Sequence, residues 1–270
     1  MPKDKAMASL THAAAAAPAT ERLAHASADF VDKRARSQAL LTRAATEFSP
    51  VKQASSLGAE DMVITHLIQT LGLNIPVFVL DTGRLHTETL ALLERTEAQV
   101  SIPVQVLRPD HAAVLTFVRN QGQDAMYRQV ELRKACCNIR KMEPLGRALS
   151  GQRAWVTGLR QAQSDARAAV PLIDTSGDAS QGLLKFNPLA DWTWGDVWHY
   201  IATEQVDYNP LHDAFFPSIG CAPCTRAIST GEDFRAGRWW WEDESAKECG
   251  LHVAGEAAAI SSIIPIKETS

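Results

Sequence analysis

The sequence predicts an α/β protein: a Rossmann-like parallel sheet flanked by helices, followed by an irregular C-terminal segment. Two observations carry this. Short apolar runs without polar alternation, above all Val77-Phe78-Val79-Leu80, have the composition of strands buried on both faces, as in a parallel sheet. Between such runs lie longer segments whose apolar residues recur at helical spacing, so strand and helix alternate as in βαβ units. A third observation fits: two polar, glycine-containing stretches fall where these strands end, the place where α/β sheets bind ligands.

In chain order, residues 1–27 contain an alanine run at 13–17 behind Lys3 and Lys5, too weakly apolar for a signal peptide, and are expected to be a disordered extension. Residues 30–48 read as a helix, with Phe30, Val31, Ala35, Leu40 and Leu41 spaced among charges and Pro50 as the stop. Residues 51–55 form a short strand candidate. Residues 60–71 follow as a helix, with Met62, Val63, Leu67 and Leu71 on its period. Then come a strand at 76–80, a helix at 86–100 and a strand at 103–107. Further on, 154–157 and 183–186 read as strands and 193–204 as a helix. From Asn209 onward proline, glycine, charge and aromatic residues dominate, and irregular structure is expected.

The 270 residues, 46% hydrophobic and 21% charged, suffice for one large domain or two small ones. A formal net charge of −4 argues against a general nucleic-acid binder, though not against a local basic pocket. No stretch approaches the ~20 apolar residues that span a bilayer. A soluble, cytoplasmic protein is expected. The five cysteines are an odd number in a long chain, so a disulfide framework is not expected; metal ligation or catalysis in a reducing compartment fits better.

Ser55-Ser56-Leu57-Gly58-Ala59 stands between a strand and a helix, where small residues and free N–H groups favour an anion. It lacks the Gly-Lys-Ser/Thr ending of a Walker A loop, and a plain turn explains it equally well. Leu80-Asp81-Thr82-Gly83-Arg84-Leu85-His86 says more, because polar groups follow a buried strand that has no need of them; Arg84 and His86 face either a nucleotide or solvent.

Cys136-Cys137 and Cys221-Ala222-Pro223-Cys224 make two pairs. Four thiolates of this kind hold either a tetrahedral zinc ion or a [4Fe–4S] cluster. Neighbouring side chains diverge by about 100° on a helix, which favours the larger cubane with its separate iron corners; zinc remains the alternative. Five unrelated core thiols are less in keeping with Asn138, Arg140, Lys141 and Arg226 beside them.

Arg235 and Arg238 would share a face of a helical turn and suit phosphate or sulfate. Trp239-Trp240-Trp241 is costly to expose and should dock on the body or on a partner. Cys249, between Lys247 and His252, has cationic neighbours that lower a thiol pKa. Taken alone it reads as an incidental surface thiol; with the other four cysteines already assigned to one cluster, it carries the features of a nucleophile.

Together these residues resemble the assimilatory adenylyl-sulfate reductases, relatives of the phosphoadenylyl-sulfate reductases in the adenine nucleotide α-hydrolase-like superfamily. The resemblance covers residues 55–252. Its most specific marks are the Leu80–His86 loop, the two cysteine pairs, Gly237-Arg238-Trp239-Trp240-Trp241-Glu242 and Lys247-Glu248-Cys249-Gly250-Leu251-His252. It implies attack of Cys249 on the sulfur of adenosine 5′-phosphosulfate, loss of AMP, and release of sulfite from the Cys249 S-sulfonate by thioredoxin or glutaredoxin. It implies a [4Fe–4S] cluster on Cys136, Cys137, Cys221 and Cys224 that tunes electrostatics. Lys141 would stand between cluster and substrate. Arg167, Arg235, Arg238 and His252 would hold the phosphosulfate, and Ser55, Gly58, Leu80, Thr82 and Gly158 would line the nucleotide pocket. The implied organisation is an extension at 1–27, a nucleotide- and cluster-binding unit at 28–234 and a catalytic tail at 235–270, with homo-oligomerisation open.

Two departures stand out. Leu57 replaces a residue that often carries a hydroxyl, and the stretch after Gly158 has Gln161, Ala162 and Gln163 where a second arginine and often an acid stand. Three alternatives remain. They are a reductase using the 3′-phosphorylated nucleotide or both, a non-catalytic zinc or iron–sulfur module, and a nucleotide-pyrophosphate ligase of the same fold.

Overall fold

The computed structural model describes residues 17–175 and 183–242. Its centre is a six-stranded sheet built from β1 (Val51–Ser55), β2 (Val77–Leu80), β3 (Val104–Leu107), β4 (Ala154–Val156), β5 (Ile173–Asp174) and β6 (Leu184–Phe186). The strand order is β3-β2-β1-β4-β6-β5. Five strands run parallel; the two-residue β5 pairs antiparallel with β6 at the edge. The expected parallel sheet is therefore a mixed one, because a short antiparallel strand closes its last edge.

The helices are α1 (Ala19–Leu23), α2 (Phe30–Glu47), α3 (Ala59–Thr70), α4 (Thr87–Gln99), α5 (His111–Gln121), α6 (Val130–Cys137), α7 (Glu143–Leu149) and α8 (Trp194–Glu204). Strand alternation divides the core between the two sheet faces. Val77 and Val79 join a large cluster with residues of α2, α3 and α8, whereas Phe78 joins Leu107, Leu145 and Trp155 under α7. Between α6 and α7 the chain makes a π-helical stretch, Asn138–Met142. Such a stretch inserts a residue into a helix and re-aims the side chains on either side of it, and it is frequent at functional sites.

The N-terminal expectation needs shortening. Residues 19–23 are helical, Ala19 is buried, and Arg22 donates to the carbonyls of His212 and Asp213 at 3.1 and 3.3 Å. Residues 235–242, the start of the expected C-terminal tail, pack on the body, and 243–270 lie outside the described residues. Trp239 is buried, its backbone N–H donates to the Cys224 carbonyl at 3.2 Å, and Thr225 and Arg238 form an antiparallel bridge. Trp240 remains exposed.

One buried carboxylate ties the helical layer together. Asp196, at the start of α8, accepts from the Ser27 N–H at 2.7 Å, the Thr193 N–H at 2.9 Å and Lys33 Nζ at 3.2 Å. Burial alone would raise its pKa, but the hydrogen bonds from Ser27 and Thr193 outweigh it and lower it from 3.8 to about 2. A carboxylate depressed in this way adds stability above pH 3.8 and loses it as the pH falls towards about 2. Asp196→Asn should cost about 2 kcal/mol or more in urea unfolding at pH 7 and flatten the acid limb between these values. Equal stability of the two proteins at pH 7 would refute this role.

Candidate active site

At the carboxyl ends of β1, β2 and β4 lies a cavity of about 210 Å³. Its lining includes Ser55, Gly58, Leu80, Thr82, Lys141, Gly158, Arg167, Arg235 and Arg238, so every sequence-predicted substrate residue within the described segments meets there. Cys249 and His252 lie outside the described residues, as does Lys247.

The first loop is shaped by its backbone. Leu57 adopts φ 61, the left-handed region that a non-glycine residue rarely enters, and its side chain is buried in the core. Leu57 thus serves packing, and its N–H donates to Ser55 Oγ at 3.2 Å. Gly58 then caps α3, leaving the first N–H groups of that helix at the cavity. Asp61 in the first turn accepts from the Ser56 N–H and Oγ, both at 2.7 Å. Burial pushes its carboxyl up to about 6, against those hydrogen bonds and with help from the Glu60 charge.

Glu60 and Asp61 both line the cavity and were not singled out from the sequence; acids in the first turn of the helix after the loop were the available signal. Glu60 pairs with buried Arg160 at 2.9 Å and accepts from Gln163 Nε2 at 3.0 Å. Gln163 in turn accepts from Arg167 Nη1 at 2.7 Å. The neutral glutamine noted as a departure is therefore the link that orients Arg167.

Arg235 and Arg238 both reach the cavity. Trp239 supports them: the guanidiniums of Arg133, Arg238 and Arg235 lie 4.5, 4.8 and 6.0 Å from its ring centroid. Arg238 Nη1 donates to Ser218 Oγ at 3.3 Å, and Gly220 makes the room, since a Cβ there would stand 2.6 Å from Arg238 Nη2.

A second, smaller cavity is lined by Cys136, Cys137, Cys221 and Cys224 together with Arg84, Arg133, Arg140 and Lys141. Lys141 lines both cavities. Thr82 Oγ1 lies 3.2 Å from Cys221 Sγ, Arg140 Nη1 donates to the Thr82 carbonyl at 2.6 Å, and the Ala222 N–H donates to the Arg84 carbonyl at 2.8 Å. The loop after β2 is thus stitched to the cysteine loop, and Arg84 faces thiols rather than nucleotide. His86 packs edge-to-face on Phe216. Of the cations that flank the cysteines in sequence, Arg226 turns away and pairs with Glu232 at 2.6 Å.

Burial raises the Cys136 and Cys224 thiols, the latter to about 11; Arg140 opposes this at Cys136, and Lys141 and Arg238 oppose it at Cys224. Among the described residues no group of three or more His, Cys, Asp or Glu is gathered tightly enough to hold a single metal ion. The four thiols nonetheless line one shared cavity, ringed by cations.

Comparison with known proteins agrees with this geometry. The family model for the phosphoadenosine phosphosulfate reductase domain matches residues 50–227. The chain belongs to the phosphoadenosine phosphosulfate reductase family. It is 53% identical over 213 residues to the adenosine 5′-phosphosulfate reductase of Allochromatium vinosum, covering 79% of this chain and 82% of that one. It is 51% identical over 218 residues to the enzyme of the same name from Burkholderia cepacia, covering 81% and 86%. This reductase is thereby an oxidoreductase acting on sulfur.

Among solved structures it resembles phosphoadenylyl-sulfate reductase from Candida auris, with TM-score 0.60 at 25% identity, over 73% of this chain and 97% of that one. Yeast FAD synthetase, with TM-score 0.52 at 11% identity over 77% of this chain and 72% of that one, shares the fold alone. Among the described residues no helix is long and apolar enough to cross a membrane.

Of the glycines that line the reductase's cavity, Gly158 leaves the least room for a side chain. A Cβ there would run into Asp61 Oδ1 and stand 3.0 Å from Glu60 Cβ. Gly158→Ala should cost roughly 1–3 kcal/mol, read as a fall in Tm of about 2–4 °C per kcal/mol. An unchanged Tm would show that the Glu60–Asp61 turn is free to move.

Proposed function

We propose that this reductase converts adenosine 5′-phosphosulfate to sulfite and AMP, with Cys249 as the nucleophile. The observation that carries the proposal is the meeting of Lys141, Arg167, Arg235 and Arg238 in one cavity at the carboxyl ends of the parallel strands, with Lys141 also facing four thiols. A phosphosulfate group carries two negative charges, and charge-assisted contacts of this kind contribute roughly 1.5–3 kcal/mol each. The names of the relatives supply the reaction.

The Cys249 thiolate attacks the sulfur of the ligand. The sulfur–oxygen bond of the anhydride breaks, its electron pair leaves with AMP, and Cys249 holds an S-sulfonate. A thioredoxin or glutaredoxin dithiol then attacks Cys249 Sγ. The S–S bond of the adduct breaks, sulfite leaves with its electron pair, and the second thiol resolves the mixed disulfide, so the dithiol supplies both electrons. Arg235 and Arg238 orient the phosphosulfate, with His252 as a further contact carried by the resemblance. Lys141 faces the anion from the cysteine side. Ser55, Gly58, Leu80, Thr82 and Gly158 hold the nucleoside.

Cys136, Cys137, Cys221 and Cys224 would hold a [4Fe–4S] cluster, which would supply an electrostatic field at Lys141. A reducing compartment such as the cytoplasm suits these thiols.

Two outcomes are expected. Cys249→Ser should abolish sulfite formation while leaving the iron content unchanged, whereas surviving turnover would exclude Cys249 as nucleophile. Anaerobically purified protein should show a broad absorption near about 400 nm with close to four irons per chain. A colourless protein with one zinc would overturn the cluster and leave the Cys249 chemistry to its own test.

A further inference from the structure

We infer that His212 contacts the nucleotide directly, its imidazole hydrogen-bonding the ribose hydroxyls and so reading the uncharged middle of the ligand. This rests on the nucleotide site proposed above and adds to it a contact that none of the motifs carries.

His212 ends a single helical turn, Pro210–His212. Its residue is 3% exposed, yet neither Nδ1 nor Nε2 has a hydrogen-bond partner. Two orphaned polar atoms on one buried ring are exceptional, because buried polar groups in folded proteins are nearly always bonded. The residue does border a space: it lines the same cavity as Gly58, Glu60 and Gly158. It is also locked there. Trp194 and Trp198 pack edge-to-face against it with centroids at 5.9 and 5.3 Å. Behind it, Arg22 donates to the His212 carbonyl at 3.1 Å, and Asn209 Oδ1 accepts from the Leu211 N–H at 3.1 Å. The Phe216 carbonyl faces the ring and favours its charged form, but at no hydrogen-bonding geometry.

Charge selects the ligand group. Burial lowers the ring pKa to about 4, although Glu60, the Phe216 carbonyl and Asp213 all act to raise it. Near neutral pH the imidazole is therefore uncharged, with one N–H donor and one acceptor nitrogen. That pair matches hydroxyls, which both give and accept, and does nothing to offset a phosphate dianion.

The cavity is divided to suit. Phe78, Leu145 and Trp155 form an apolar wall on one face of the sheet, fit for a flat base. Lys141, Arg235 and Arg238 form the anion end. His212 belongs to neither group: its neighbour Trp198 packs in the core of the opposite face. The ribose is what remains between base and phosphosulfate.

The test is a binding cycle on the full chain, titrating wild type, H212F and H212N with AMP, 2′-deoxy-AMP and 3′-deoxy-AMP. H212F should weaken AMP about 10- to 100-fold. At least one deoxy-nucleotide should bind wild type more weakly than AMP, and should lose little more in H212F, because the two deletions remove one contact. H212N, which keeps a donor and an acceptor, should recover part of the loss.

Equal losses for all three nucleotides in H212F would overturn the inference and leave the ring a packing role. Where H212F fails to fold, wild type still decides: deoxy-nucleotides binding as tightly as AMP overturn it. Absence of AMP binding to wild type would overturn the nucleotide site itself, a result distinct from either.

Discussion

Gathering four thiols around one cavity sets a charge requirement that much of the surrounding structure answers. Thiols bind metal as thiolates, and burial works against that form, as the raised Cys136 and Cys224 show. The compensation comes from Arg140 and Arg84 at Cys136 and from Lys141 and Arg238 at Cys224, while Arg133 lines the same cavity. Arg133 is itself buried and so needs its own partner. It donates from Nε and Nη2 to the two carboxylate oxygens of Glu242 at 3.0 and 2.7 Å. A buried pair of this kind is expensive to break from one side. It therefore fastens residue 242, the last described position before the segment carrying Cys249, onto α6.

The same requirement joins the two cavities. The π-helical stretch after Cys137 carries both Arg140 and Lys141. Arg140 grips the Thr82 carbonyl of the loop after β2, while Lys141 reaches into both spaces. Thr82 meets Cys221 on the other side. The thiol cavity and the substrate cavity thus share one cation and one loop. The opposite side of that cavity is different in kind: Glu60 is neutralised by Arg160 and tied through Gln163 to Arg167, and His212 is uncharged.

Residues 30–107 were legible because strands β1, β2 and β3 alternate with helices whose apolar faces are buried, and burial imposes period on composition. Residues 111–149 were not. Helix α5 buries none of its residues fully, so its sequence carries no sharp apolar stripe. Helices α6 and α7 are interrupted by the π-helical stretch, which shifts the period midway. Strand β5 has two residues, too few for any pattern. In the site, glycine, cysteine and paired arginine announced themselves by type. Glu60, Gln163 and His212 did not, because each is an ordinary polar residue until its neighbours are known.

By itself, then, the sequence determined the α/β class, the strand-end loops, the four-cysteine set and the cationic residues available to an anion, since all of these follow from residue type and spacing. Only the tertiary structure decided that Arg84 serves the thiols rather than the nucleotide, that Arg226 serves neither, that Gln163 links Arg167 to Glu60, and that His212 enters the cavity. The physical reason is that polar side chains take their role from the partner they reach. Those partners lie across the sheet, in parts of the chain that local pattern does not connect.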